Sequence, residues 1–431
     1  MRQSIQLLSK LLPIKSVAET IHLKQHEDPF VDGLRGLSVL MVILFHTIFA
    51  VHFAFRKQPE LFQQFLGQIP LGFDFVLGFD KAVDIFFMIS AYLLGSSLRK
   101  QASNGSLSAR RFYLQRMGRI YPLFLVALLV YGDPTSDKFY SLIWQNLFFV
   151  ASYVDPYLHI IPVGWSLSVE MQCYLVLPLV MIVLNRVSKP IAVIMLLIVG
   201  SIILRWWITA THPNTVNTPF IHFINGESSA LEFTLRIYES TPGRLGSFII
   251  GLLWAYMEPI AKGIKLNPVV ANLYLIILLG LLYISMNFPM YSALSSYYVN
   301  FNPTVNQVLV VGHRYLFSFA LLGIILIVRA LPNIGLAGAI RTSLAIRFFR
   351  PFSRLAFPAY LFHFPFIVLA WVMVLGTTDI KVIEVPTLWQ AGLVWVLSSI
   401  MVLWFSLPLH YKIERPGIGL GKRLAEKWGR Q

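Results

Sequence analysis

A single cysteine, Cys173, stands in 431 residues, so neither an intrachain disulfide nor a cysteine-based metal site is available, and the redox compartment stays undecided. Charge is also scarce. Asp, Glu, Lys and Arg make up 13% of the chain against 56% hydrophobic and 14% aromatic residues, which excludes an ordinary soluble domain and points to a polytopic membrane protein. Acidic residues are the scarcest class, 20 against 35 basic ones for a net charge of +15. No patch interleaves basic with aromatic residues, so nucleic acid is not the expected partner. A basic surplus in loops between apolar runs suits membrane orientation and anionic lipid headgroups. The first thirty residues lack a continuous apolar core with a small-residue cleavage site, so no cleavable signal peptide is expected. Leu7, Leu8, Leu11, Leu12 and Ile14 line one side of a short surface helix or belong to an unstructured tail. Internal repeats and low-complexity tracts are absent, and one integral membrane domain is the simplest account.

What the chain has in quantity is long apolar runs. Runs of membrane-crossing length, about 17–25 residues with a few shorter, fall near 34–55, 82–98, 117–132, 164–185, 190–209, 244–258, 270–287, 308–329, 352–376 and 388–411. The expectation is an all-α protein with about ten transmembrane helices. An eleventh run, 139–154, is short and broken by Gln145 and Asn146. If it does not cross, the tail, the 99–119 loop, the segments 186–189, 262–265 and 329–354 and the C-terminal tail share one side, which with Arg35 holds 26 of the 35 Lys and Arg. The 288–306 loop, with no Lys or Arg, falls opposite. The positive-inside rule therefore makes 139–154 a short re-entrant or surface segment and both termini cytoplasmic. The external segments 56–81 and 206–243 mix aromatic, acidic and Pro/Gly residues suited to capping an external cleft.

Several residues are costly in a bilayer. Arg35 and His46 lie eleven positions apart, within about 20° of three whole turns and about 16 Å of rise, and so share a helix face. Arg35 snorkels to lipid phosphate or serves a site; His46, more than halfway across, needs a partner or a wet cavity. Asp84 enters the second run from outside, where a carboxylate can face headgroups, and Ser90 six residues deeper can back-bond its own helix. Arg116 and Arg119, at i and i+3, suit bidentate phosphate contacts or act only as topology determinants. Trp165 marks an outer interface. Glu170, about two turns in, must be partnered, neutral or engaged with protons, with His46 at a matching depth. His363 sits near mid-membrane between Pro358 and Pro365, which can kink its helix toward a cavity.

Taken in order, these motifs resemble the membrane-bound acyltransferase 3 family, whose members include bacterial O-acetyltransferases of cell-surface polysaccharides. The resemblance rests on Asp32-Gly33-Leu34-Arg35-Gly36 with His46, "VDIFFMIS" at 83–90, and Arg116-x-x-Arg119 followed by Ile120-Tyr121-Pro122. It continues through "WSLSVE" at 165–170 with Tyr174 and Pro178, "YLFHFPF" at 360–366 and Glu414-Arg415-Pro416. The chain departs from the family pattern at Ser90-Ala91, where Ser-Gly is usual, and at 171–174.

The resemblance implies a cytoplasmic tail over 1–32, an integral membrane acyltransferase domain over 33–412 and a basic cytoplasmic tail over 413–431. It implies transfer of an acyl group, expected to be acetyl from cytoplasmic acetyl-CoA, to a hydroxyl of an extracytoplasmic glycan or lipid-linked glycan, with no metal, in a bacterial inner membrane. Arg35, Arg116 and Arg119 would hold the donor phosphates. His46 would act as general base or carry the acyl group, with Glu170 or Asp84 orienting it or relaying its proton; Trp165, Ser90 and His363 would line the substrate path. A proton-coupled transporter is the competing reading, since intramembrane Arg, His and Glu also mark transport pathways, although the paired broken helices of inverted repeats are not evident.

Overall fold

A computed structural model describes residues 28–154, 159–225, 230–331, 333–378 and 384–428. The expected surface helix over residues 7–14 lies outside these residues. Among them the chain is all helix, without a strand. Ten long helices overlie the ten apolar runs: α1 Pro29–Ala54, α2 Ala82–Ser103, α3 Ala109–Tyr131, α4 Gly164–Arg186, α5 Pro190–Thr211, α6 Thr241–Ala261, α7 Pro268–Met286, α8 Pro303–Ala330, α9 Ala356–Leu375 and α10 Leu388–Leu409. A π-helical turn, His410–Glu414, joins α10 to α11, Arg415–Trp428, within the expected C-terminal tail. α11 packs along α3.

Local chemistry explains the boundaries. α1, α5, α6, α7 and α8 carry proline in their first turn, where a missing N–H costs nothing. The Asp28 carboxylate caps α1 by accepting from the Phe30 and Val31 amides, so the helix takes in the last four residues of the expected tail, 29–32. α10 opens with a capping box between Thr387 and Gln390.

Seven helical units have the length and apolarity to cross a membrane: α1, α4, α5, α7, α8, α9 and the continuous Leu388–Trp428 rod. Exposed Leu175, Leu179, Leu196, Ile203, Ile276, Ile284 and Met373 give them an apolar outer surface suited to lipid. The other long helices, α2, α3 and α6, bear charges, among them Asp84 and Arg99, Arg116 and Arg119, and Arg244 and Glu258. α6 packs against α2, α5 and α8 and buries most of its length.

The 139–154 stretch does not form one membrane-length helix and turns at Phe149. Helix Asp137–Leu147 is too short to span a bilayer and ends with the Leu147 carbonyl accepting from Tyr121, halfway along α3 (3.0 Å). Phe149 turns the chain at φ 58°, packs on Phe124 at 4.8 Å and gives its carbonyl to Gln172 of α4. Asn146, one of the residues that interrupt the apolar run, is buried and ties the two limbs together by accepting from the Ile160 amide.

Candidate active site

The Asp32-Gly33-Leu34-Arg35-Gly36 motif is shaped by a close approach of backbones. A Cβ on Gly33 would meet the Leu344 carbonyl oxygen at 1.7 Å, and one on Gly36 the Phe349 carbonyl oxygen at 2.4 Å. The two glycines let α1 lie directly on the segment from Gly335–Leu344 to Phe349–Arg354, and Asp32 fixes the contact by accepting from Ser353 at 2.9 Å. This brings Arg35 and Arg354 to the wall of one cavity.

That cavity, about 360 Å³, lies between α1, α2, α3, α4 and the start of α9. Arg35, Arg116, Arg119 and Arg354 line it, against the carboxylates of Glu170 and Glu414. Glu414 is engaged by His410 at 2.7 Å, and Arg35 has Asp32 3.9 Å away. Arg116 presents a buried Nε without a hydrogen-bond partner. Cations dominate, so the cavity favours a polyanion.

Deeper in the same cavity, hydroxyls form a directed chain. Tyr174 donates to Glu170 Oε1, which leaves its oxygen to accept from Ser90 at 2.6 Å. The far wall holds Ser166 and Tyr360, their hydroxyls 2.6 Å apart. The Tyr360 carbonyl accepts from His363 Nδ1 at 2.7 Å. A carbonyl can only accept, so Nδ1 of His363 carries the proton and its Nε2 holds a lone pair. That Nε2 lies 3.2 Å from His46 Nδ1, which also faces the Val42 carbonyl at 2.9 Å. His46 Nδ1 is therefore the protonated nitrogen, donating to two acceptors, and His46 Nε2 is an unprotonated base. The two rings stand 4.7 Å apart. Pro365 lacks the amide that would bond the Leu361 carbonyl, and Tyr131 donates to that oxygen instead at 2.8 Å. His46 and His363 are not among the residues on the cavity wall, which Tyr360, bonded through its carbonyl to His363, does line.

Two further candidates sit elsewhere. Asp84 is fully buried in an ionic cluster outside the cavity lining, accepting from Ser247 at 2.8 Å, from Arg244 at 3.3 Å and from Arg314, whose other arm binds Asp80. Trp165 packs there too, 4.8 Å beneath the Arg244 guanidinium. Thus Arg35, Arg116, Arg119, Glu170 and Ser90 share the cavity, His46 pairs with His363, and Asp84 and Trp165 belong to a separate cluster without a contact to His46. Beside this cluster, in the loops, burial pushes the Glu239 carboxyl up to about 8 against the pull of Arg244, and burial brings His159 down to about 4. Their side chains are 3.8 Å apart.

Sequence reasoning missed Arg354, which stands in a basic segment that topology alone accounts for, and the pairing of Asp84 with Arg244 and Arg314. The His46–His363 contact joins positions 317 residues apart, beyond any local pattern.

Comparison with known proteins now bears on this arrangement. The chain is 26% identical over 385 residues to the peptidoglycan O-acetyltransferase OatA of Listeria monocytogenes, covering 84% of this chain and 52% of the relative. A Staphylococcus aureus protein whose name proposes O-acetyltransferase activity is 27% identical over 276 residues, 59% of this chain and 38% of its own. An uncharacterized Haemophilus influenzae protein is 27% identical over 217 residues, 45% of this chain and 82% of its own. The chain thus spans about half or less of the length of the first two relatives. No solved structure matches. Residues 28–411 match the family described as Acyltransferase domain, acyltransferase 3, and since they make up nearly the whole described chain, the protein belongs to that family of acyltransferases.

Proposed function

We propose that the chain is an integral membrane O-acyltransferase that takes an acetyl group from acetyl-CoA on the side of the arginine cavity and esterifies a hydroxyl of an extracytoplasmic glycan or glycolipid. The observation that carries this reading is the convergence of Arg35, Arg116, Arg119 and Arg354 on one cavity whose far wall, Tyr360, is bonded to His363, the partner of His46. The names of the relatives, O-acetyltransferases, favour acetyl and oppose a transporter. In this reading α1 to α10 all cross a bacterial inner membrane with both termini cytoplasmic, and the charges that make α2, α3 and α6 less apolar are sequestered in the bundle.

The chemistry follows from the tautomers. The guanidiniums hold the nucleotide phosphates and leave the pantetheine arm directed along α1 toward His46. His46 Nε2 takes the proton of the acceptor hydroxyl as its oxygen forms a bond to the thioester carbonyl carbon. The C–S bond breaks, and the proton passes from the imidazolium to the departing CoA thiolate. His363 Nε2 and the Val42 carbonyl both accept from His46 Nδ1 and stabilise the imidazolium while it lasts, the part an acidic residue plays in a serine hydrolase triad. Glu170, through Tyr174, fixes the Ser90 hydroxyl at the cavity wall, where its oxygen can accept from an amide of the pantetheine arm. Asp84 positions α2 by its ion pairs and stands apart from the proton transfer.

The test is the surface polysaccharide of cells with and without the protein. Loss of ester-linked acetate on deletion, restored by the wild type and not by His46→Ala, is expected. Identical acetate in all three strains rejects the assignment.

A further inference from the structure

The terminal Glu414-Arg415-Pro416 motif has no task in the reaction above. Glu414 closes the π-helical turn between α10 and α11 and is 3% exposed, yet it lines the arginine cavity. Two glycines fix its depth. A Cβ on Gly417 would meet the Gly118 carbonyl oxygen at 2.5 Å and Pro122 Cγ at 2.7 Å, and one on Gly421 the Leu114 carbonyl oxygen at 2.7 Å. α11 therefore runs antiparallel along α3, with 417 beside 118–122 and 421 beside 114–118. The same register puts Glu414 level with about Leu123, which is about one turn, or ~6 Å, further along α3 than Arg119.

The Glu414 carboxylate is half used. Its Oε2 accepts from His410 Nδ1 at 2.7 Å, one turn back, which holds the side chain in place. Among the described residues nothing donates to Oε1, which is nevertheless not fully covered, so the wall that Glu414 contributes to the cavity carries an open acceptor. A carboxylate kept only to offset the guanidiniums would touch one of them; among the described residues the ion-pair partner of Glu414 is His410. Glu170, the other carboxylate on the wall, is tied to the Tyr174–Ser90 pair.

From this geometry we infer that Glu414 is a specificity-determining residue for the acyl donor, accepting at Oε1 from the pantoyl hydroxyl of CoA. The inference rests on the acyl-CoA reading above, and adds which part of the donor is recognised beyond its phosphates. The order of groups fits. Phosphates are drawn to Arg35, Arg116 and Arg119 and repelled by a carboxylate, and the first hydrogen-bond donor along the arm, a few bonds past the phosphates, is that hydroxyl. The branched apolar carbon between them has Ile120, the cavity residue next to Arg119, to pack on. The amides come later along the arm and are left to Ser90.

The test titrates the full chain in lipid nanodiscs with three probes: CoA, CoA whose pantoyl hydroxyl is replaced by hydrogen, and 3′,5′-ADP, which carries nucleotide phosphates without the arm. The wild type binds CoA roughly 10- to 150-fold more tightly than the deoxy analogue, the range for one hydrogen bond to a charged group. Glu414→Met binds the two alike, and Glu414→Gln, which keeps a neutral acceptor in nearly the same shape, falls between. Both variants bind 3′,5′-ADP at least as tightly as the wild type, because a charge that repels phosphate is gone, and this shows that the arginine cavity is intact; where the methionine variant fails that check, the glutamine variant decides. Equal wild-type affinity for CoA and its deoxy analogue overturns the inference and leaves the donor reading standing. Undiminished discrimination in the variants overturns it too, as does a parallel loss of all three probes in Glu414→Gln, the mark of a purely structural carboxylate. A wild-type protein that binds neither CoA nor 3′,5′-ADP overturns the donor reading and this inference with it.

Discussion

Replacing His363 with leucine removes one of the two acceptors for His46 Nδ1 while keeping a buried side chain of similar bulk. The magnitude can be worked from the contact. At 3.2 Å, a hydrogen bond between neutral imidazoles contributes about 0.5–1.5 kcal/mol. Once His46 has taken a proton at Nε2 the same bond has a charged donor and contributes about 1.5–3 kcal/mol. Only the difference, about 1–2 kcal/mol, acts on the chemical step, so kcat falls roughly 5- to 30-fold. That is less than the roughly 10²- to 10⁴-fold expected for removing the base itself in His46→Ala. KM for acetyl-CoA stays put, because no arginine of the cavity touches His363. His363→Gln offers a carbonyl oxygen to His46 and recovers most of the loss. The assay is acetyl-CoA turnover with labelled glycan as product, on protein whose melting temperature matches the wild type. A wild-type kcat in His363→Leu, or a raised KM with kcat unchanged, refutes the orienting role.

Three other outcomes follow from the geometry. Arg354→Gln raises the Kd for acetyl-CoA roughly 10- to 150-fold, the loss of one charge-assisted phosphate contact, measured by titration of the purified protein; an unchanged Kd removes Arg354 from the donor site. Gly36→Ala forces a Cβ to 2.4 Å from the Phe349 carbonyl and lowers stability by about 1–3 kcal/mol, with weaker acetyl-CoA binding, whereas Gly200→Ala, inside α5 with nothing within 4 Å, does not lower the melting temperature. For Glu239, both folded and unfolded chains are protonated below pH 4.5, and between there and about 8 only the unfolded chain ionises, so stability falls as pH rises through that window. Glu239→Gln abolishes this slope, on the order of a few kcal/mol in total; it is read by thermal denaturation between pH 7 and 8.5, where His159, whose effect lies between 6.5 and about 4, no longer titrates. An unchanged slope in the variant rejects the buried neutral carboxyl.

Much of this was readable before any coordinates. The ten apolar runs became ten helices, and Gln145 and Asn146 marked a stretch that turns at Phe149, because polar side chains inside an apolar run report a local need for backbone partners. Arg35, Arg116 and Arg119 had lipid and topology roles open to them; the resemblance grouped them, and they line one cavity. Depth along a helix was legible, but neighbourhood was not. Glu170 and His46 were matched by depth, yet Glu170 turns to Tyr174, and His46 meets His363 from a helix more than three hundred residues away. Asp84 looked like a proton carrier until its cations, Arg244 and Arg314, arrived from α6 and α8. Arg354 was hidden among topological charges, and only the glycine contacts of α1 bring it beside Arg35.

The central claim is that acetyl passes from a donor on one side of the membrane to a hydroxyl on the other with His46 as the base. Proteoliposomes with the arginine cavity facing a lumen loaded with labelled acetyl-CoA, and a glycan acceptor supplied only outside, measure this directly. The account predicts ester-linked label on the external glycan with stoichiometric CoA inside, abolished by His46→Ala. Label appearing at the wild-type rate with His46→Ala, or only when donor and acceptor share one compartment, contradicts it.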